Sequence, residues 1–155
     1  MKILILFDSY FGNTEKIARA IADKLSSAHS VQTARISEFD WNKISIPDLL
    51  IIGSPTRGFR PSDATKSFSQ KIPAKSLSGV KVVAFDTRIS LPQIKSKTLR
   101  FIVHSGGYAA KHIQKSLQKK GGTPILPPEG FLVLGDKGPL VNGELERASE
   151  WALKL

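Results

Sequence analysis

Short apolar runs and amphipathic stretches alternate along this chain. Lys2–Phe7 is an apolar run of strand length. Behind it Ile17, Ala18, Ile21, Ala22 and Leu25 recur at helical spacing, which predicts a helix through Leu25. Val31–Ile36 has the pattern of a half-buried second strand, Asp48–Gly53 is a strongly apolar third, and Val80–Asp86 is a fourth. Helices are predicted over 62–71, over 108–120 where Gly121-Gly122 ends the pattern, and over 144–155. A fifth strand is expected in two pieces, near Pro124–Leu126 and Phe131–Leu134, because Pro127-Pro128 interrupts it. Residues 87–105 mix Pro92 and scattered lysines with an apolar patch at Leu99, Phe101, Ile102 and Val103, and a short helix is expected there.

Strands that alternate with helices imply a parallel sheet covered on both faces. The expected fold is α/β: a three-layer, doubly wound, five-stranded parallel sheet of order 2-1-3-4-5, in one domain over residues 1–155. No repeat or linker divides the chain. Such sheets bind ligands outside the carboxyl ends of their strands, where the winding reverses. The two loops at that point are Asp8–Thr14 and Ser54–Phe59.

The first of these loops, Asp8-Ser9-Tyr10-Phe11-Gly12-Asn13-Thr14, runs straight into the first helix. The first amides of a helix lack intrahelical partners, and the helix dipole favours negative charge beside them. Gly12 lets backbone approach a ligand, and Ser9, Asn13 and Thr14 carry hydrogen-bonding side chains. The arrangement suits a phosphate. It is not the ATP-binding loop, which ends in Gly-Lys-Ser/Thr, nor the dinucleotide loop, which needs three glycines. A plain turn and helix cap is the alternative reading of Gly12-Asn13-Thr14.

Composition narrows the chemistry. There is no cysteine, so disulfides, thiolate metal sites and cysteine nucleophiles are excluded, and redox chemistry requires a bound cofactor. His29, His104 and His112 have no metal-ligand spacing. The opening apolar run is too short to span a membrane and has no small-residue cleavage site, so a cytoplasmic location without membrane insertion is expected. The formal charge is +10, and it is regional. Arg57 to Lys120 holds 14 lysines and arginines against the two acids Asp63 and Asp86, a net +12, whereas the rest of the chain nets −2. No nucleic-acid-binding motif accompanies the excess, so a basic docking face is favoured over nucleic acid.

The loop ending Gly12-Asn13-Thr14 resembles the phosphate loop of flavodoxins, with Phe11 where that family typically carries a further hydroxyl. Gly53-Ser54-Pro55-Thr56, continuing through Arg57, Gly58 and Phe59, resembles the loop that lines one side of the flavin in that family. Asp86-Thr87-Arg88 falls where the second flavin-lining loop stands, and Gly121 through Trp151 looks like the tail of flavodoxin-domain proteins. The resemblance implies FMN as cofactor. It implies a phosphate site at Ser9, Tyr10, Phe11, Gly12, Asn13 and Thr14, and a ring site at Pro55–Phe59 and Asp86–Arg88. The family stacks an aromatic residue on each side of the ring. Phe59 is the candidate on one side, but no aromatic follows directly after Asp86, which predicts a more open ring site.

The function expected on this basis is electron transfer through bound FMN, with an acidic redox partner on the basic face. An FMN-dependent quinone or flavin reductase and a cofactor-free interaction module are the alternatives. Arg57 and Arg88 near the ring would stabilise the anionic, fully reduced flavin and make the final reduction potential less negative than in acidic relatives. Arg60 is expected to face solvent or a partner. Asp8 is expected to cap or orient the phosphate loop. A Ser–His–acid triad has no support around Ser9 or Ser54.

Overall fold

A computed structural model describes residues 1–43, 45–90, 94–98, 100–101 and 107–155. Its strands are β1 (Lys2–Phe7), β2 (Ser30–Arg35), β3 (Leu49–Pro55), β4 (Lys81–Arg88), β5 (Thr123–Pro124) and β6 (Glu129–Leu132). Its main helices are α1 (Asn13–Leu25), α2 (Asp63–Lys71), α3 (Ala109–Lys119) and α4 (Glu144–Ala152). All pairings are parallel, in the order β2-β1-β3-β4-β5, with β6 also on β4. The expected doubly wound order holds.

The central strands are apolar on both faces because each face meets helices. Ile3, Ile5 and Phe7 of β1, with Ile51, Val83 and Phe85, pack against Ile17, Ile21 and Leu25 of α1 and Trp151 of α4. The intervening residues Leu4, Leu6, Leu50, Ile52, Val82 and Ala84 pack against Phe68 of α2 and Ile113 and Leu117 of α3. Period-two alternation thus feeds two cores, one per face. Each buried Leu or Ile contributes roughly 1.5–3 kcal/mol by leaving water.

The fifth position of the sheet is split, as the two prolines require. β5 lies beside Lys81 and Val82, and β6 beside Phe85 to Arg88, with Pro127 and Pro128 between them. Proline offers no N–H to a ladder. Most element boundaries differ from the sequence expectation by one to three residues, and two of the differences have a plain structural cause. The second strand stops at Arg35, and Ile36 opens a 3₁₀ turn over Ile36–Glu38. The fourth strand runs two residues past Asp86, because β6 pairs with it as far as Arg88. Asp86, Thr87 and Arg88 therefore project from a strand end and not from a free loop. Of the expected short helix, Lys97, Thr98, Arg100 and Phe101 are helical, while Pro92, Leu99, Ile102, Val103 and His104 lie outside the described residues. No helix among the described residues is long and apolar enough to cross a membrane.

Candidate functional site

A cleft of about 350 Å³ opens at the carboxyl ends of β1, β3 and β4, within the size range of small-molecule sites. Its first wall is the loop from β1 into α1. Ser9 Oγ accepts from the amides of Gly12 at 3.0 Å and Glu15 at 3.4 Å, which closes the loop on itself. Gly12 is the N-cap residue of α1 with φ 86°, a left-handed conformation that glycine adopts without strain. Asn13 Nδ2 donates to the Lys137 carbonyl at 3.1 Å, tying the loop to the segment after β6. Thr14 and Thr87 share a hydroxyl–hydroxyl bond of 2.8 Å between the starts of two cleft walls. One of those two O–H groups must donate to the other, so a single hydroxyl proton is left for a ligand.

The side chains of the loop are thus largely engaged in holding it. Its backbone is not. Among the described residues the amides of Tyr10, Phe11, Asn13 and Thr14 have no acceptor. Four such donors at a helix start form a cradle for an anion. Glu15, in the first turn, would oppose an anion there, but its own charge is engaged. The Arg19 hydrogen bond, working against burial and joined by Arg35, holds its carboxyl below the usual range.

Phe11 changes the charge of this end. The Arg57 guanidinium carbon lies 5.1 Å from the centre of the Tyr10 ring and 5.2 Å from that of Phe11. Lys137 Nζ lies 5.9 Å from the Phe11 ring centre. Each contact is worth about 0.5–1 kcal/mol at exposed sites. A ring in place of a hydroxyl forfeits one hydrogen bond but gathers two cations beside the loop.

The opposite wall begins at the end of β3. Thr56 donates its amide to the Thr87 carbonyl at 2.9 Å, and its Oγ1 accepts the Ala109 amide of α3 at 3.2 Å. A tight turn follows, in which Arg57 and Arg60 exchange both backbone hydrogen bonds at 2.9 and 3.0 Å. Both central residues have positive φ, Gly58 at 51° and Phe59 at 65°. The strained value at Phe59 costs roughly 1–2 kcal/mol. It leaves the ring on the cleft wall, edge-on to Tyr108 with centroids 6.2 Å apart.

Beneath this wall lies a buried ion pair. Arg88 donates from Nε to Asp86 Oδ1 at 2.5 Å and from Nη2 to Oδ2 at 2.8 Å, and the Ala110 amide donates to Oδ2 at 2.7 Å. Residues two apart on a strand share a face, which is what brings the two side chains together. Asp86 is fully buried, and burial raises its carboxyl above the ordinary range in spite of Arg88, the Ala110 amide and the Thr56 hydroxyl. The paired guanidinium sits 4.0 Å from the centre of the Tyr108 ring. Gly130 makes room for it, since a Cβ there would fall 2.2 Å from Arg88 Cζ.

Twelve of the fourteen candidate residues line this cleft: Ser9, Tyr10, Phe11, Asn13, Thr14, Pro55, Thr56, Arg57, Gly58, Phe59, Thr87 and Arg88. Gly12 and Asp86 shape it from behind. Sequence reasoning missed Ile89, Ile94, Tyr108, Val133, Gly135 and Asp136. Tyr108 matters most, because it adds a second aromatic ring to the cleft, beside Phe59 and from a segment well beyond Asp86. The ring arrives from the start of α3, its hydroxyl donating to the Ile89 carbonyl at 3.2 Å. Asp8 also departs from expectation. Its amide donates to the Gly53 carbonyl, and its buried Oδ2 has no partner among the described residues.

Comparison with known proteins agrees with this geometry. The family model described as flavodoxin matches residues 5–151. Oxidised flavodoxin 1 of Bacillus cereus superposes with a TM-score of 0.77 at 19% identity, covering 99% of this chain and 96% of that one. Oxidised flavodoxin 2 of the same organism gives 0.77 at 22%, covering 99% and 97%. A flavodoxin from the domain Archaea gives 0.77 at 18%, covering 99% and 94%. No match was found among curated proteins. At these identities the superpositions speak for the fold, and the family match carries the assignment. The chain belongs to the flavodoxin family, proteins that bind FMN and pass electrons to and from redox partners.

Proposed function

We propose that the free amides of Tyr10, Phe11, Asn13 and Thr14 hold the FMN phosphate, with the remaining Thr14–Thr87 hydroxyl proton as a further donor. Arg57 and Lys137, held over Phe11, add positive charge beside it. The ring end of the cleft, beside Phe59 of the Arg57–Arg60 turn and the Arg88–Tyr108 pair, takes the flavin ring. Bound FMN supplies the reversible electron chemistry. The protein's part is to orient it and set its electrostatic surroundings. Arg88 contributes little net charge because Asp86 balances it, so Arg57 is the cation that acts on the ring. The observation carrying the reading is the set of unpartnered amides at the foot of the cleft. We further infer an acidic partner protein, on the strength of the net +12 between Arg57 and Lys120.

FMN and riboflavin differ only by the phosphate, so their affinities test the assignment directly. A charge-assisted hydrogen bond is worth about 1.5–3 kcal/mol, and several acting together predict FMN tighter by about 100-fold or more. Asn13→Ala with Thr14→Ala is expected to narrow that gap by loosening the loop. Equal affinities in the unaltered protein would overturn the reading.

A further inference from the structure

A second concavity, about 360 Å³, lies between α2 and α3 on the side of the sheet away from α1. Its floor is apolar and small: Ile113 is 1% and Ser69 4% exposed. Its rim carries two cations, Arg60 from the turn after β3 and Lys66 from α2, and the imidazole of His112 from α3. Lys111 and Lys115 flank His112 on α3. Burial, then Arg60, Lys115 and Lys111, holds the His112 imidazole below its usual pKa, which places each of these three cations within electrostatic reach of that ring. No carboxylate lines the groove, and among the described residues Arg60, Lys66, Lys111 and Lys115 form no ion pair. Asp63, three residues before Lys66, is the acid nearest to it on α2.

We propose that this groove is where an acidic segment of the partner protein docks. The inference rests on the acidic-partner reading above and gives it a place. Clustered unpaired cations repel one another, and an anion between them removes that cost while gaining directed hydrogen bonds from Arg60. A carboxylate-bearing polypeptide suits the lining better than nucleic acid does, because among the described residues no aromatic side chain lines the groove to stack a base. The location also serves electron transfer. Arg60 and Arg57 are the two ends of one backbone-paired turn, one end in the groove and the other over the FMN cleft. A partner held by Arg60 therefore stands one turn from the flavin edge.

The test is to titrate an acetylated hexaglutamate peptide into the FMN-loaded full chain at low ionic strength. Expected is salt-sensitive binding that weakens tenfold or more in Arg60→Glu/Lys66→Glu and is unchanged in Lys24→Glu/Lys154→Glu, where the other helical layer is altered. Lys111→Glu/Lys115→Glu is expected to weaken it less. Bound peptide should raise the pKa of the His112 ring seen by NMR, since it adds negative charge among Arg60, Lys66, Lys111 and Lys115, and leave His29 unmoved. Failure of the peptide to bind the unaltered protein would overturn the acidic-partner reading, and the groove with it. Binding that ignores Arg60→Glu/Lys66→Glu but is lost in Lys95→Glu/Lys97→Glu/Arg100→Glu would overturn the groove alone. A thymidine oligonucleotide of equal charge that binds more tightly through Arg60 and Lys66 would replace the protein partner with nucleic acid.

Discussion

At one end of the cleft, the five residues from Tyr10 to Thr14 provide four amides at a helix start with no acceptor among the described residues. At the other, the wall is gathered from Pro55–Phe59, Thr87–Ile89, Tyr108 and Val133–Asp136, stretches scattered over half the chain. The phosphate end depends on a local backbone conformation, so its side chains are freed to brace neighbouring loops. The ring end depends on side chains, and these must be braced from below. Asp86, Arg88 and the empty space at Gly130 do that. Used as proposed, such a site divides its work: backbone would fix the anion, and the Asp86–Arg88 pair braces the aromatic wall.

Three substitutions probe the division. Asp86→Asn should have the largest effect, because it leaves the largely buried Arg88 without its carboxylate. Removing one partner of a buried pair costs about 3 kcal/mol, readable by urea unfolding. FMN and riboflavin should weaken equally, since the defect lies at the ring end. A loss confined to FMN would break the comparison. Next is Glu144→Gln. Glu144 Oε2 accepts the Leu132 amide at 2.5 Å and pairs with Arg147, which in turn reaches Glu129, so α4 anchors β6 on the ring side. Burial opposes ionisation of Glu144, but Arg147 and the Leu132 amide outweigh it and hold the carboxyl below its ordinary 4.5. A carboxyl depressed on folding stabilises above its unfolded value, and that contribution fades as acid titrates it. Glu144→Gln is therefore expected to lose about 2 kcal/mol at neutral pH, with a shallower decline of stability below pH 4.5 than the unaltered protein shows. An unchanged acid limb would remove Glu144 from the bracing. The smallest effect belongs to Arg57→Gln, which removes the cation not balanced by a carboxylate. About 1 kcal/mol of lost Coulomb stabilisation corresponds to about 40 mV for one electron. Redox titration should show the final potential more negative by that amount at low salt, and by less as salt screens it.

The contrast also explains what the sequence made legible. The loop from Ser9 to Thr14 is contiguous, and amphipathic spacing fixes where its helix begins, so its place at the head of α1 could be read directly. Apolar runs of strand length alternating with helical patterns were likewise enough to fit the sheet order. Tyr108 was not picked out, because nineteen residues of mixed pattern separate it from Arg88. The Asp86–Arg88 pair was within reach: spacing of two on a strand puts both on one face. It was missed because the fourth strand was ended at Asp86, and only pairing with β6 extends it. Val133, Gly135 and Asp136 follow the last piece of the broken strand, so the rule that ligands sit beyond strand carboxyl ends pointed at them too.

The broken fifth strand has a consequence of its own. An open sheet exposes a row of unmatched donors and acceptors along its outermost strand, and another chain can extend the sheet there. Here that edge consists of two residues, a gap and four more, with Pro124, Pro127 and Pro128 along it, and Val133 bridges back to Leu140. No uninterrupted template is left for a foreign strand to add to. On this side the protein resists growing into fibres, and copies that associate there must meet through helices or loops.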